Sequence, residues 1–361
     1  MFKEDINVSD LKVKKPSKID ELKAMSKKDR NRAIGDLLMN NAMFIIIAIA
    51  VVFIWIQEPA FLSMASIVNI VNLTMAKLPI ALGVGGCIIL AGTDISAGRQ
   101  VGLAAAISAG LQLTTNKLFP GLQVMPIPVA LIAVLIVGCC VGFVNGLFMA
   151  RFKLHPFIVT LSTQLIVYGI LLMFMQLGTN SGQTLSGMSQ QYQDLIKGTL
   201  FRVGNTAVPN YVLYSVIITC IVWVIWNKTT FGKNMYAVGS NEEAANVSGV
   251  NVVKTIIMVF MMAGVLYAIT GFMDASRISS VNATTGLNYE ADAIAACVIG
   301  GISFVGGIGK VSGAIIGVLL LQIIFTGLTY LSVDQNLLFI VKGVIILVAC
   351  AIDMRKYLVR K

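Results

Sequence analysis

Ile127-Pro128-Val129-Ala130-Leu131-Ile132-Ala133-Val134-Leu135-Ile136-Val137-Gly138-Cys139-Cys140-Val141-Gly142-Phe143-Val144-Asn145-Gly146-Leu147-Phe148-Met149-Ala150 is a run of 24 residues without one charge. As a helix it rises about 36 Å, enough to cross the ~30 Å hydrocarbon core of a bilayer. Outward from it the chain keeps the same character. Further apolar runs lie at 37–56, 67–91, 101–114, 157–177, 208–226, 252–272, 291–305, 311–331 and 337–352. These are ten candidate spans in all, so the expected fold class is all-α, a polytopic membrane protein of about ten transmembrane helices. The third and eighth runs are short for a straight crossing, and their glycine-rich ends suggest broken or re-entrant helices.

Composition agrees. Of 361 residues, 57% are hydrophobic and only 12% charged, half the roughly 25% of a soluble fold. Mean hydropathy is +0.84. In water such a body would expose more apolar surface than a fold can cover, which excludes a cytosolic enzyme. The six cysteines (87, 139, 140, 220, 297 and 350) all sit in apolar runs without CxxC spacing and read as small packing residues. No secretory cleavage pattern follows the first run, so that span is expected to stay.

Charge is concentrated at the N-terminus. Residues 1–36 hold 10 Lys/Arg and 7 Asp/Glu, against 27 charges in the remaining 325 residues. This stretch reads as a basic cytoplasmic tail, followed by a transmembrane domain over 37–352 and a basic cytoplasmic C-terminus over 353–361. With the tail inside and ten alternating spans, 21 of 27 Lys/Arg fall in inside segments, Arg99 among them. Only Lys117, Lys197, Arg202 and Arg277 fall outside, while Lys77 and Lys342 lie within apolar runs. That asymmetry predicts N-in and C-in, an external stretch 178–206, and one long internal loop, 227–251. The positive charge is thereby assigned to membrane orientation and lipid rather than to nucleic acid.

Signs of catalysis are sparse. The one histidine, His155, precedes Pro156 at a membrane edge without partners and reads as structural. A phosphate-binding loop requires GxxxxGK(S/T), and Phe304-Val305-Gly306-Gly307-Ile308-Gly309-Lys310-Val311 lacks both the first glycine and the hydroxyl. Residues 300–313 read instead as a site of close helix approach. An echo of 81–98 in 295–313 suggests two similarly built halves. Asp94, Asp274, Glu290 and Asp292 lie at the ends of apolar runs, where each either caps a helix or serves a cavity. Asp94 with Arg99, and Glu290 or Asp292 with Arg277, are the expected pairs.

The inside loop carries the sharpest local signal. In Gly239-Ser240-Asn241-Glu242-Glu243-Ala244-Ala245-Asn246-Val247-Ser248-Gly249, Ser240 and Glu243 form a capping box and Gly249 stops the helix. The product is about two helical turns with short side chains, thin enough to lie in a cleft of another protein. A plain surface helix between two spans fits the same residues.

At this loop the chain resembles a family. Residues 227–234, 237–245 and 248–250 resemble the coupling loop of permease subunits of ribose- and galactose-type ABC importers. Gly92-Thr93-Asp94-Ile95-Ser96-Ala97-Gly98 resembles that family's Gly-x-Asp-Leu-Ser-x-Gly signature, with Ile95 in place of Leu. The run 292–313 is similar to its late glycine-rich segment. Arg99-Gln100 and 290–297 look most like the galactose/methyl-galactoside type. The resemblance covers nearly everything after residue 37; the long charged tail departs from it.

The resemblance implies a bacterial inner-membrane homodimer with a fold similar to the larger, type II-like ABC importer permeases. It also implies a cytoplasmic ATPase with two fused nucleotide sites and a periplasmic sugar-binding protein as partners. ATP and magnesium would then sit on the ATPase, with no cofactor on this chain. Residues 240–249 would be the coupling helix. A sugar path needs polar, weakly binding walls, for which Asn69, Asn72, Thr93, Asp94, Asn145, Thr160, Thr163, Gln164, Tyr168 and Asn288 are candidates. The competing reading is an ion-coupled secondary transporter that uses Asp94, Glu290 or Asp292.

Overall fold

The computed structural model describes residues 42–358 except 116, 120, 122 and 179. The basic tail 1–36 and residues 359–361 lie outside the described residues. The chain divides into two units, Met1–Ile49 and Ala50–Lys361. Of the first, the described part is the opening of helix α1, Ala42–Gln57.

Among the described residues, each of the ten apolar runs contains a helix. After α1 come α2 (Met64–Ile89), α3 (Ala97–Gln112), α4 (Ile127–Phe152) and α5 (Pro156–Met175). The stretch 178–209 carries β1 (Leu185–Ser186), α6 (Gln190–Lys197), β2 (Thr199–Val203) and β3 (Thr206–Pro209). Then follow α7 (Asn210–Lys228), α8 (Thr230–Ser240), α9 (Glu242–Val247), α10 (Val252–Ile278) and β4 (Ser280–Val281). The last three helices are α11 (Tyr289–Ile299), α12 (Val311–Tyr330) and α13 (Gln335–Leu358). Among the described residues, six helices are long and apolar enough to cross a membrane: α2, α4, α5, α7, α10 and α12. With 16 and 11 residues, α3 and α11 rise only about 24 and 16 Å, short of a straight crossing.

Two small sheets depart from the all-helical expectation. β2 and β3 form an antiparallel hairpin in which Val203 faces Thr206. The loop between them is Gly204-Asn205, with Gly204 at φ +60, the positive φ that such a two-residue turn requires. β1 pairs with β4 through Leu185↔Val281 and Ser186↔Ser280. Periodicity missed both sheets because these strands are too short to carry a pattern.

The core is built on α2 and α10, the most enclosed of the long helices. α10 packs against α4, α3 and α2. Close approach to α4 depends on Gly138, Gly142 and Gly146, which recur every four residues. β-Carbons there would strike the Gly264 carbonyl oxygen, the Phe260 carbonyl oxygen and the Ile257 Cα. Small residues on one stripe let backbones meet where apolar lipid gives helices no hydrophobic reason to associate. α11 and α12 repeat the device, with Gly300 against Gly313 and Gly317 against the Ala296 carbonyl oxygen.

Candidate coupling segment and transport path

The stretch expected as one internal loop is largely helical. α7 continues to Lys228, and α8 and α9 together fill most of the remainder. Ser240 belongs to α8, where its hydroxyl donates to the Tyr236 carbonyl oxygen (2.9 Å). It is therefore not the cap of α9. That role belongs to Asn241, whose Oδ1 accepts the Ala244 N–H at 2.8 Å. Glu242 and Glu243 occupy the first turn, where carboxylates complement the helix dipole. At the other end Val250 N–H reaches the Ala245 carbonyl oxygen and Gly249 N–H that of Asn246, both at 3.0 Å, with Gly249 at φ +85. This is the glycine-ended helix stop read from the sequence.

The faces of α9 differ. Glu242, Glu243, Ala244, Asn246, Val247 and Ser248 are exposed, and Val247 keeps 89% of its surface. Ala245 is 4% exposed and packs with Val238, Val252, Leu90, Val250 and Ile256. The short side chain of Ala245 thus packs into the protein's own interior, while the other residues of α9 are open. Val247, not singled out in the sequence, is the apolar group α9 presents. A lone valine on the open face of a polar helix was the available signal.

Below α9 the backbone contacts are tight. Gly239 lies against the Ile89 carbonyl oxygen at the end of α2, with no room for a β-carbon. The same oxygen accepts the Gly307 N–H at 2.8 Å. Gly306 (φ +87) faces the Gly239 carbonyl oxygen, and Gly307 (φ +68) faces Ser240. Tyr236 donates its hydroxyl to the Gly309 carbonyl oxygen at 3.0 Å. Burial pushes the Tyr236 hydroxyl above its ordinary pKa, so it stays a donor. The two echoing stretches therefore meet each other beneath α9.

A second centre lies at the start of α3. Asp94 is buried, and its Oδ1 accepts from the Ser96 N–H (3.0 Å) and the Ser96 hydroxyl (2.5 Å). The Ser96 hydroxyl oxygen in turn accepts from Gln100 Nε2 (2.9 Å) and Asn145 Nδ2 (3.1 Å). Asn145 Oδ1 takes the Thr163 hydroxyl at 2.6 Å. Thr160 donates to the Thr93 carbonyl oxygen at 3.3 Å. Of the path candidates, Thr93, Asp94, Asn145, Thr160 and Thr163 are thus gathered into one buried node joining α3, α4 and α5. Ser96 and Gln100 complete it; Ser96 lay in the quoted signature and Gln100 just after it, but nothing in their spacing marked them as the hub.

The other candidates lie elsewhere. Asn72 is buried and donates to the Ala207 carbonyl oxygen of β3 at 3.1 Å, while Asn69 is exposed. Gln164 and Tyr168 are half-buried on α5, and Asn288 (φ +62) precedes α11. His155 Nδ1 accepts the Phe157 N–H at 3.3 Å and so caps α5.

Both expected ion-pair assignments are corrected. Arg277 pairs with Asp274 at 2.7 Å, three residues back on α10. Asp292 pairs with Lys342 of α13 at 2.9 Å, and Lys77 lies over the Tyr289 ring. Arg99 does not reach Asp94. Its Nη1 donates to the Ala283 carbonyl oxygen (3.2 Å), and its guanidinium lies over the Tyr168 ring, 4.1 Å from the centroid. Ala283 lies two residues past the end of β4, and β4 pairs with β1 in the stretch 178–209. Arg99, expected with the inside loops, thus meets a segment expected outside.

The family model described as "Branched-chain amino acid transport system / permease component" matches residues 66–350. The chain is 43% identical over 340 residues to the Galactose/methyl galactoside import permease protein MglC of Haemophilus influenzae, covering 93% of this chain and 100% of that one. It is 41% identical over 327 residues to the protein of the same name from Escherichia coli, covering 90% and 96%. The Ribose import permease protein RbsC of Bacillus subtilis is 34% identical over 313 residues, covering 87% and 92%. No solved structure matches. With likeness of this degree running through the signature turn, the α9 segment and the late glycines alike, the chain belongs to the Branched-chain amino acid transport system / permease component family, as a sugar permease of the ABC transporter type.

Proposed function

We propose that this chain is the membrane-spanning subunit of an ATP-driven importer for galactose, methyl galactoside or a similar monosaccharide. The sugar arrives from a periplasmic binding protein and leaves into the cytoplasm. In this reading two copies sit in a bacterial inner membrane, N-in and C-in, each with about ten spans over 37–352 between the tail 1–36 and the C-terminus 353–361. A separate cytoplasmic ATPase with two fused nucleotide sites binds ATP and magnesium. Its closure pushes on the coupling segment 227–251, with α9 entering its cleft.

The observation that carries this reading is the seat of α9. Its open face offers Val247 and short polar groups, while its underside is tied through Ala245, Gly239 and Gly307 to the ends of α2, α8 and α10. A push on α9 is thus delivered to helices that reach the Asp94 node. Of the carboxylates that an ion-coupled transporter would use, Asp94 is held at one oxygen by Ser96 and Asp292 is paired with Lys342.

The test is purification of the solubilised chain from its host's membranes, with mass spectrometry of what accompanies it. The expected companion is a two-site ATPase at one per two permeases. Recovery of the chain alone, still competent for uptake without ATP, would contradict the proposal.

A further inference from the structure

The short helices α3 and α11 both begin inside the body, and their first turns touch. A β-carbon at Gly98 would strike the Glu290 carboxylate and the Gly286 carbonyl oxygen, and one at Gly102 the Thr285 carbonyl oxygen. In membrane transporters, helices interrupted at depth bring polar backbone to a place where a substrate can meet it. Arg99 stands at this junction, between the Ala283 carbonyl oxygen and the Tyr168 ring.

Its surroundings are polar and incompletely satisfied. Arginine has five N–H donors, and Arg99 uses one on Ala283, leaving the others without a hydrogen-bond acceptor among the described residues. The Tyr168 hydroxyl and the Gln164 carboxamide, one helical turn apart on α5, likewise have no hydrogen-bond partner among the described residues. All three side chains are half-buried, neither sealed in the core nor fully open. The lipid-like face of α5 is made of other residues, Leu165, Ile166, Ile170 and Met173, which are 48–71% exposed. Free donors and acceptors facing hydrocarbon would be costly, so such groups belong to a hydrated path or to a substrate. None of them takes part in the Asp94 node.

We propose that Arg99, Tyr168 and Gln164 form a contact site for a neutral pyranose on the transport path, beside the junction of α3 and α11. This rests on the sugar-importer reading and names the side chains that meet the cargo. The site suits a neutral polyol rather than a carboxylate-bearing substrate such as an amino acid, because the Glu290 carboxylate against Gly98 offsets the Arg99 charge. The hydroxyls of a pyranose supply acceptors for the guanidinium and both donors and acceptors for Tyr168 and Gln164. Few contacts and partial exposure keep the hold weak, as passage requires.

The test uses the full transporter with its ATPase and binding protein in proteoliposomes. The chain carries Gln164→Cys, with the exposed Cys140 and Cys220 replaced by serine. Labelling by a small methanethiosulfonate reagent is timed with D-galactose, with L-leucine and with neither. Galactose is expected to slow labelling at least threefold and leucine not at all, with the protection lost when Arg99→Lys is added.

In the native background, Tyr168→Phe and Arg99→Lys are expected to lower the galactose moved per ATP hydrolysed at least threefold while ATP hydrolysis continues. A residue that only held the fold would lower both together. Labelling unchanged by galactose, labelling slowed by leucine, no labelling at all, or an unchanged sugar-to-ATP ratio in both variants would overturn the site. If wild-type uptake ignores ATP, the importer reading fails instead, and protection by galactose still reports on the site.

Discussion

The carbonyl oxygen of Ile89 accepts the Gly307 N–H at 2.8 Å, joining the end of α2 to the glycine loop before α12. Gly239 lies against that same oxygen. Three distant parts of the chain therefore share one carbonyl directly beneath α9. A contact of backbone on backbone has no side chain to yield, so displacement of α9 moves all three together.

Gly239→Val places two methyl groups where Ile89 leaves no room for one carbon. Overpacking of this kind costs about 1–3 kcal/mol. The expected result is a chain that still inserts, melts at lower temperature and loses at least tenfold in ATP-driven uptake. Thermal unfolding in detergent and vesicle uptake check it.

Capping distinguishes two adjacent residues. Asn241→Ala removes the acceptor for the Ala244 N–H and should loosen α9 by about 1 kcal/mol. Ser240→Ala removes only a bond inside α8 and should leave α9 unchanged. Hydrogen exchange at the Ala244 amide reads the difference directly.

Val247 and Ala245, two residues apart on α9, should fail in different ways. Val247→Asp alters a residue that is 89% exposed, so the permease should keep its melting temperature and lose binding of the ATPase. Ala245→Trp forces an indole into a site that is 4% exposed and should lower the melting temperature with no ATPase present. Melting curves with and without the ATPase separate the two.

The node at the start of α3 should be sensitive to its central amide. Asn145→Leu leaves the Thr163 hydroxyl without its acceptor and removes a donor from Ser96. Unpaired buried polar groups cost about 1–3 kcal/mol each. Thr163→Val made together with Asn145→Leu removes the stranded hydroxyl and should recover part of the loss, measured by thermal unfolding of both variants.

Much of this fold is legible in sequence because a bilayer dictates length and apolarity at once. The run 127–150 became α4, Ile127–Phe152, and 157–177 became α5, Pro156–Met175. The α9 segment was legible too, since acidic and capping residues at its start and a glycine at its end are local signals. Choosing Ser240 over Asn241 failed because both residue types cap helices. The choice was made by α8, which extends far enough to occupy Ser240. The inward turn of Ala245 was illegible, since small residues suit a docking face and a tight core equally. Ion pairs were misassigned for a related reason. Arg99 and Asp94 are near in sequence, but the turn closed by Ser96 occupies Asp94 and sends Arg99 toward Ala283, 184 residues away.

The most direct test of the account is galactose uptake into proteoliposomes holding this chain, its ATPase and its binding protein, with the ATP supply and the ion gradients varied separately. The account predicts uptake that requires ATP, survives collapse of every ion gradient and stops when Val247→Asp detaches the ATPase. Uptake that persists without ATP and ends when an ionophore is added would contradict it.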